Sequence, residues 1–247
     1  MKKIIILIYI IISVIVWLKY IEYENYINEP YITVYAEYGL NNKLQTILSY
    51  LYKANQEGKK LKVIWNVHDK CPDTFENLFK PIPNVEFIYT DENYDFKDFR
   101  EVNMDYINKG YYKLLQPIDS IQQEIDNTKK LLNYEYIACH IRRTDMWDHH
   151  WYKKWRKYDE EYIKFIDQYP KDLKIYIATD CRNTQQKFID KYGDRLIYKK
   201  IEDNDNIRQT SLQDAVKDMY VCAGAKYFMR SPGTFSNTII HLRNLSK

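Results

Sequence analysis

Tyr136-Ile137-Ala138-Cys139-His140-Ile141-Arg142-Arg143-Thr144-Asp145 decides the fold, because it is an apolar strand that ends in a knot of charge. Side chains alternate along a strand, so Ile137, Cys139 and Ile141 share one face while Ala138, His140 and Arg142 share the other. The imidazole and the first guanidinium therefore point the same way. In open α/β sheets ligands bind beyond the carboxyl ends of the strands, where a planar guanidinium with five donors suits a phosphate. The plainer outcome is a strand that stops and spends its Arg residues on Asp145.

Outward from that strand the same grammar repeats. Residues 31–35 form a strand, Gly39 turns the chain into a helix with Leu44, Ile47, Leu48 and Leu51 at i, i+3, i+4 and i+7, and Gly58 ends it. The strand at 61–65 then completes a parallel βαβ unit. A turn of helix at 75–79 and a third strand at 86–89 follow. The pattern dissolves over 91–110, which predicts the join between two halves. Beyond it come a helix carrying Ile118, Ile121 and Ile125, the central strand, a helix from 159, and a strand at 173–180 that ends in Asp180, so that Asp180 and Arg142 flank one crevice. A helix at 184–192, a short strand at 195–198 and a helix begun by Ser211 come next. The last strand, 226–229, runs through Ser231-Pro232-Gly233 into a final helix opened by Thr234-Phe235-Ser236, where unpaired N–H groups and the helix dipole favour an anion. Asp218 lies on the flank of the preceding helix's apolar stripe and needs solvent or a partner. No G-x-G-x-x-G dinucleotide fingerprint occurs.

Composition narrows the partners. With 247 residues, 45% of them apolar, and a net charge of +3, the chain can bury a full core but gives no argument for nucleic acid. No Lys/Arg block with interleaved aromatics replaces that argument in this reading, and the 25 Tyr reflect an AT-rich coding bias. Cysteines 71, 139, 181 and 222 are scattered, which predicts neither a zinc site nor a disulfide framework. His149 and His150 are adjacent and diverge, so the stretch from Met146 to Tyr158 reads as a loop rim rather than a metal site; within it Asp148, His149 or His150 is placed to supply a general base. Asp203-Asn204-Asp205 resembles a metal-binding D-x-D but reads as a solvated loop.

Lys2 and Lys3 precede an uncharged apolar run over 4–18, short for a helix of about 20 residues yet without small residues for cleavage. The expectation is a signal anchor over 1–21, a stalk over 22–30, and a single-pass type II membrane protein whose bulk lies on the lumenal or extracytoplasmic side.

Three motifs in order, His140 to Asp145, Ala178-Thr179-Asp180, and Asp218 followed by Thr234-Phe235-Ser236, resemble the GDP-fucose-dependent fucosyltransferases: the superfamily of α1,6-, nodulation and protein O-fucosyltransferases. Gly39-Leu40-Asn41-Asn42-Lys43-Leu44 and Val63-Ile64-Trp65 resemble its first βαβ unit. The resemblance implies an α/β, GT-B-like fold of two Rossmann-like halves with parallel sheets. Residues 31–110 would form the acceptor side, trimmed in this short chain, and 111–247 the half that binds the nucleotide sugar. It implies inverting, metal-independent transfer of fucose to a glycan or protein hydroxyl. By carry-over His140 and Asp218 contact guanine, Arg142 and Ser236 the β-phosphate, and Asp180 shapes the site, with Arg143, Asp145, Thr234 and Asn42 completing the substrate-binding set. Arg142, with Asp148 or His150 as base, forms the catalytic set. Met146 stands where the α1,6 enzymes carry Lys.

Overall fold

A computed structural model describes residues 11–19, 30–90, 105–145, 147–201 and 210–245. The amino half is a three-stranded parallel sheet, β1 (Tyr31–Ala36), β2 (Lys60–Asn66) and β3 (Val85–Thr90), in the order β1-β2-β3. Helix α1 (Leu40–Gln56) crosses between the first two strands and buries Leu44, Ile47, Leu48 and Leu51, as its apolar spacing predicts. It ends in a left-handed Gly58, φ +65°, with Lys59 N–H on the Ala54 carbonyl at 2.8 Å, the reach-back bond that satisfies a helix's last acceptors.

The carboxyl half is a four-stranded parallel sheet in the order β6-β5-β4-β7, with β4 at Tyr136–Ile141, β5 at Lys174–Thr179, β6 at Leu196–Ile197 and β7 at Tyr227–Met229. Helices α2 (Asp119–Leu131), α3 (Asp159–Ile166), α4 (Arg182–Tyr192), α5 (Leu212–Gly224) and α6 (Thr234–Leu245) flank it, with single helical turns at Asp105–Asn108 and His150–Lys153. The chain leaves β4 toward β5 and β6 and returns to β4's other edge as β7, so the strand order switches at β4. A crevice opens at such a switch, at the strands' carboxyl ends.

Every residue of β4 is buried, and its two faces serve different cores. Ile137, Cys139 and Ile141 pack with Tyr162, Ile166 and Phe188 under α3 and α4. Tyr136 and Ala138 belong to the larger core, which runs without a break from β1, β2 and α1 to α2, α5 and α6. The alternation read from the sequence is therefore the observed one, and the two sheets share a core through β4's inner face. All four cysteines are free; three are buried and Cys181 is partly so.

Among the described residues no helix is long and apolar enough to cross a membrane. The described part of the apolar run, 11–19, is helical, and its apolar side chains lie open to solvent, Val16 at 62% and Trp17 at 61% exposure. The rest of the expected anchor, most of the stalk, most of the join at 91–110, Met146, and Asp203-Asn204-Asp205 lie outside the described residues.

Candidate active site

Beyond the carboxyl ends of the strands lies a cavity of about 610 Å³, lined by His140, Arg142, Asp180, Asp218 and residues 232–235 of the carboxyl half and by residues 39–42 of the amino half. In register, His140 pairs with Ala178 and Ile141 with Thr179, so Arg142 and Asp180 leave their strands side by side. Asp180 gathers the exit loop of β4: Oδ1 accepts the Arg143 backbone N–H at 2.7 Å, and Oδ2 accepts the Thr144 hydroxyl at 2.6 Å and faces Arg142 Nε at 3.1 Å. Asp145 takes Arg142 Nη2. The guanidinium is thus locked between two carboxylates, and Nη1 keeps no protein acceptor among the described residues.

Two helix amino ends meet at the same cavity. In α6 the first ladder bond is Asn237 N–H to the Gly233 carbonyl, which leaves the N–H groups of Thr234, Phe235 and Ser236 outside the ladder. Gly233 adopts φ +120°, a conformation that L side chains rarely tolerate, and it aims this helix end. α1 starts at Gly39, which offers no side-chain cap. Neither helix carries an acidic residue in its first turn, so both positive ends are uncompensated.

His140 is buried beneath this rim. Its Nδ1 lies 2.7 Å from Ser236 Oγ and 2.9 Å from Ser231 Oγ, and its ring stacks on Phe235 at 4.5 Å. Burial first, and the Arg142 charge second, push its pKa down to about 3, so the imidazole is neutral. Asp218 moves the opposite way: burial raises its carboxyl to about 7 against a hydrogen bond from the Tyr176 hydroxyl and the nearby Lys217 charge, which lower it. Tyr176, Ala178 and Asp180 share a strand face, which sequence shows; that Tyr176 meets a carboxylate 42 positions away it does not.

Of the substrate-binding set, His140, Arg142, Asp180, Asp218, Thr234 and Asn42 come together around the cavity. Ser236 is beneath it, its hydroxyl spent on His140. Arg143 is on the far side, as strand alternation requires, paired with Asp159 and lying over Trp147 at 4.6 Å. Asp145 holds Arg142 from outside the lining. Neither expected base lines the cavity: Asp148 is 87% exposed and 3.6 Å from Lys153, and the His150 ring packs on His149 at 4.7 Å. Among the described residues no cluster of three His, Cys, Asp or Glu side chains is arranged to hold a metal ion. The rim beyond Asp145 also corrects the composition reading, because residues 151–158, Trp-Tyr-Lys-Lys-Trp-Arg-Lys-Tyr, are a basic block interleaved with aromatics.

Two parallel α/β sheets with a cavity at their carboxyl ends form a two-halved α/β fold, and solved structures match it. NodZ α1,6-fucosyltransferase soaked with GDP-fucose superposes with a TM-score of 0.61 at 15% identity, over 87% of this chain and 93% of that one. Fucosyltransferase NodZ from Bradyrhizobium gives 0.60 at 15% identity, over 86% and 92%. POFUT1 in complex with GDP-fucose gives 0.55 at 13% identity, over 88% and 95%. At these identities the shared property is the fold. No protein-family model matches the chain, and no curated protein matches it in sequence.

Proposed function

We propose that the chain is a membrane-anchored glycosyltransferase that binds a nucleotide diphosphate sugar, GDP-fucose by the motif resemblance, in the 610 Å³ cavity. The observation that carries this reading is the convergence of Arg142 and the amino end of α6, which has no acidic residue in its first turn, on one cavity. A diphosphate is the ligand that such donors suit. A neutral His140 and the Asp218 carboxyl stand deeper in the same cleft, where a purine edge offers both donors and acceptors. In the reaction an acceptor hydroxyl oxygen attacks the anomeric carbon from the face opposite the nucleotide. The carbon–oxygen bond to the β-phosphate breaks with inversion, and the electron pair leaves on the phosphate, where Arg142 and the helix end stabilise the charge without a metal. The hydroxyl proton passes to a base. The proposed anchor rests on the sequence, where the uncharged apolar run at 4–18 follows Lys2 and Lys3, the end that would stay on the cytoplasmic side.

One observation favours a second reading. The carboxylates that line the cavity are Asp180, bonded three ways, and Asp218, bonded to Tyr176, while Asp148 and His150 stand outside. A protein that binds the nucleotide sugar and transfers nothing has the same cavity. Calorimetric titration of the chain with GDP and UDP in a chelator, beside Arg142→Ala, tests the site. Selective GDP binding that the variant loses is expected, and UDP binding alone would remove fucose from the assignment. Incubation with GDP-fucose and a panel of glycan acceptors then separates the two readings, since the second releases no GDP.

A further inference from the structure

We propose that residues 147–158 form a platform for an acidic glycan, which makes the acceptor of the cavity a sugar chain bearing carboxylate or sulfate groups. The segment carries Lys153, Lys154, Arg156 and Lys157 against one carboxylate, Asp148, an excess as large as the +3 of the whole chain. Its position is fixed by contacts beside the cavity. The Tyr152 hydroxyl donates to the Arg142 carbonyl at 3.0 Å, and Lys157 Nζ donates to the Arg230 carbonyl at 3.0 Å, three residues before Gly233.

The platform is stiff as well as charged. Trp147 is stacked by two guanidinium groups, Arg143 at 4.6 Å and Arg156 at 4.4 Å, and Arg156 also donates to the Trp147 carbonyl at 3.1 Å and to the Tyr158 hydroxyl. These bonds spend donors without cancelling charge, because carbonyl and hydroxyl oxygens are neutral. On this base Trp155 stands 63% exposed with Lys154 Nζ 5.2 Å from its ring centre, and Tyr158 is 50% exposed. Aromatic faces left in water among cations suit a ligand that both stacks and carries negative charge. The C–H faces of pyranose rings stack on such rings, and acidic sugar substituents pair with the lysines. Nucleic acid offers stacking and charge too, but a cavity that takes a sugar donor must have a sugar or protein hydroxyl within reach, which favours a glycan. The inference rests on the glycosyltransferase reading both in preferring a glycan to nucleic acid and in calling that glycan the acceptor.

The test is binding of the full chain in detergent to heparin-derived and hyaluronan-derived hexasaccharides, to neutral chitohexaose and to a single-stranded hexadeoxynucleotide, at low and physiological salt. At least one acidic oligosaccharide is expected to bind about tenfold tighter than chitohexaose and to weaken severalfold with salt, as screened charges do. Trp155→Ala and Lys154→Glu should each weaken it about fivefold while leaving GDP affinity within about twofold, since neither side chain lines the cavity. Equal affinity for neutral and acidic sugars, indifference to both variants, or tighter binding of the oligonucleotide overturns the proposal. Loss of the GDP result with the glycan result intact would instead remove the donor-site reading and leave the platform standing.

Discussion

Each half of the molecule sends a cation to the carboxyl ends of its parallel strands, and the two are used in opposite ways. In the amino half Lys43 turns inward: fully buried, it donates to the Ala36 carbonyl at 2.8 Å and to the Asn66 carbonyl, tying the end of β1 to the end of β2, with its ammonium 4.6 Å from the Trp65 ring centre. Burial pushes its pKa down to about 8. In the carboxyl half Arg142 is gripped by Asp145 and Asp180 and lines the cavity. Lys43 spends two donors on backbone and faces the Trp65 ring, whereas Arg142 is held by carboxylates and lines the cavity. In the proposed site the amino half supplies a wall and a helix end, and the carboxyl half supplies the cation.

Substituting the two cations breaks the comparison if it is wrong. Arg142→Ala should weaken GDP binding by about a hundredfold or more, the loss of a charge-assisted contact to phosphate, and should also lower Tm, because the buried Asp180 carboxylate loses its cation. Calorimetry beside a melting curve reads both; unaltered GDP affinity would sink the site. Lys43→Ala should cost stability and spare binding. It strands two buried carbonyls, for a loss of about 2 to 3 kcal/mol, which in a chain of this size lowers Tm by about 4 to 10 °C. GDP affinity should stay within about twofold at a temperature where the variant is folded. A variant that melts normally but binds GDP poorly would make Lys43 part of the site.

Legibility in the sequence divided along the same line. What depends on local periodicity was readable: the two faces of β4, the α1 stripe, and the meeting of Arg142 with Asp180, since both residues follow directly on strands that pair. Alternation alone also assigns Arg143 to the Ile141 face, away from Arg142, which conflicts with the expected substrate contact; that its partner there is Asp159 only the fold shows. What depends on distant partners was hidden. Lys43 sits in a polar Asn-Asn-Lys run that reads as a solvated first turn, and nothing local says that two strand ends will close over it. Ser236 and His140 are 96 positions apart, and only the fold makes them neighbours. The basic and aromatic block at 151–158 was visible as residues, but its exposure beside a cavity was not.

Within the carboxyl half the comparison sharpens to charge state. With its carboxyl raised to about 7, Asp218 is mostly protonated at pH 6 and mostly ionised at pH 8. If the ionised carboxylate accepts hydrogen bonds from a guanine edge, binding favours the deprotonated form, so GDP affinity should rise with pH through 7 and level off above 8. The ionised fraction grows from about a tenth to about nine tenths, so the gain is about tenfold, and Asp218→Asn should abolish the slope. A flat wild-type profile between pH 6 and 8, measured by titration in buffers of equal ionic strength, would take Asp218 out of the base pocket. His140 gives no slope in that window, because it is neutral throughout.

The smallest effect separates a phosphate ligand from a support. The motif resemblance implies a contact between Ser236 and the β-phosphate, yet the Ser236 hydroxyl is fully buried and lies 2.7 Å from His140 Nδ1, a nitrogen that Ser231 also reaches at 2.9 Å. Removing one of two hydroxyls that serve the same nitrogen leaves that nitrogen satisfied, while the Ser236 backbone N–H remains at the helix end. Ser236→Ala should therefore weaken GDP binding by only about threefold or less, and the Ser231→Ala/Ser236→Ala pair should cost more than the two single changes together, because only the pair strands the ring nitrogen. A loss near that of Arg142→Ala from Ser236→Ala alone would mean that the hydroxyl turns to the phosphate when the nucleotide binds, and the helix end would then supply a side-chain ligand as well as a dipole.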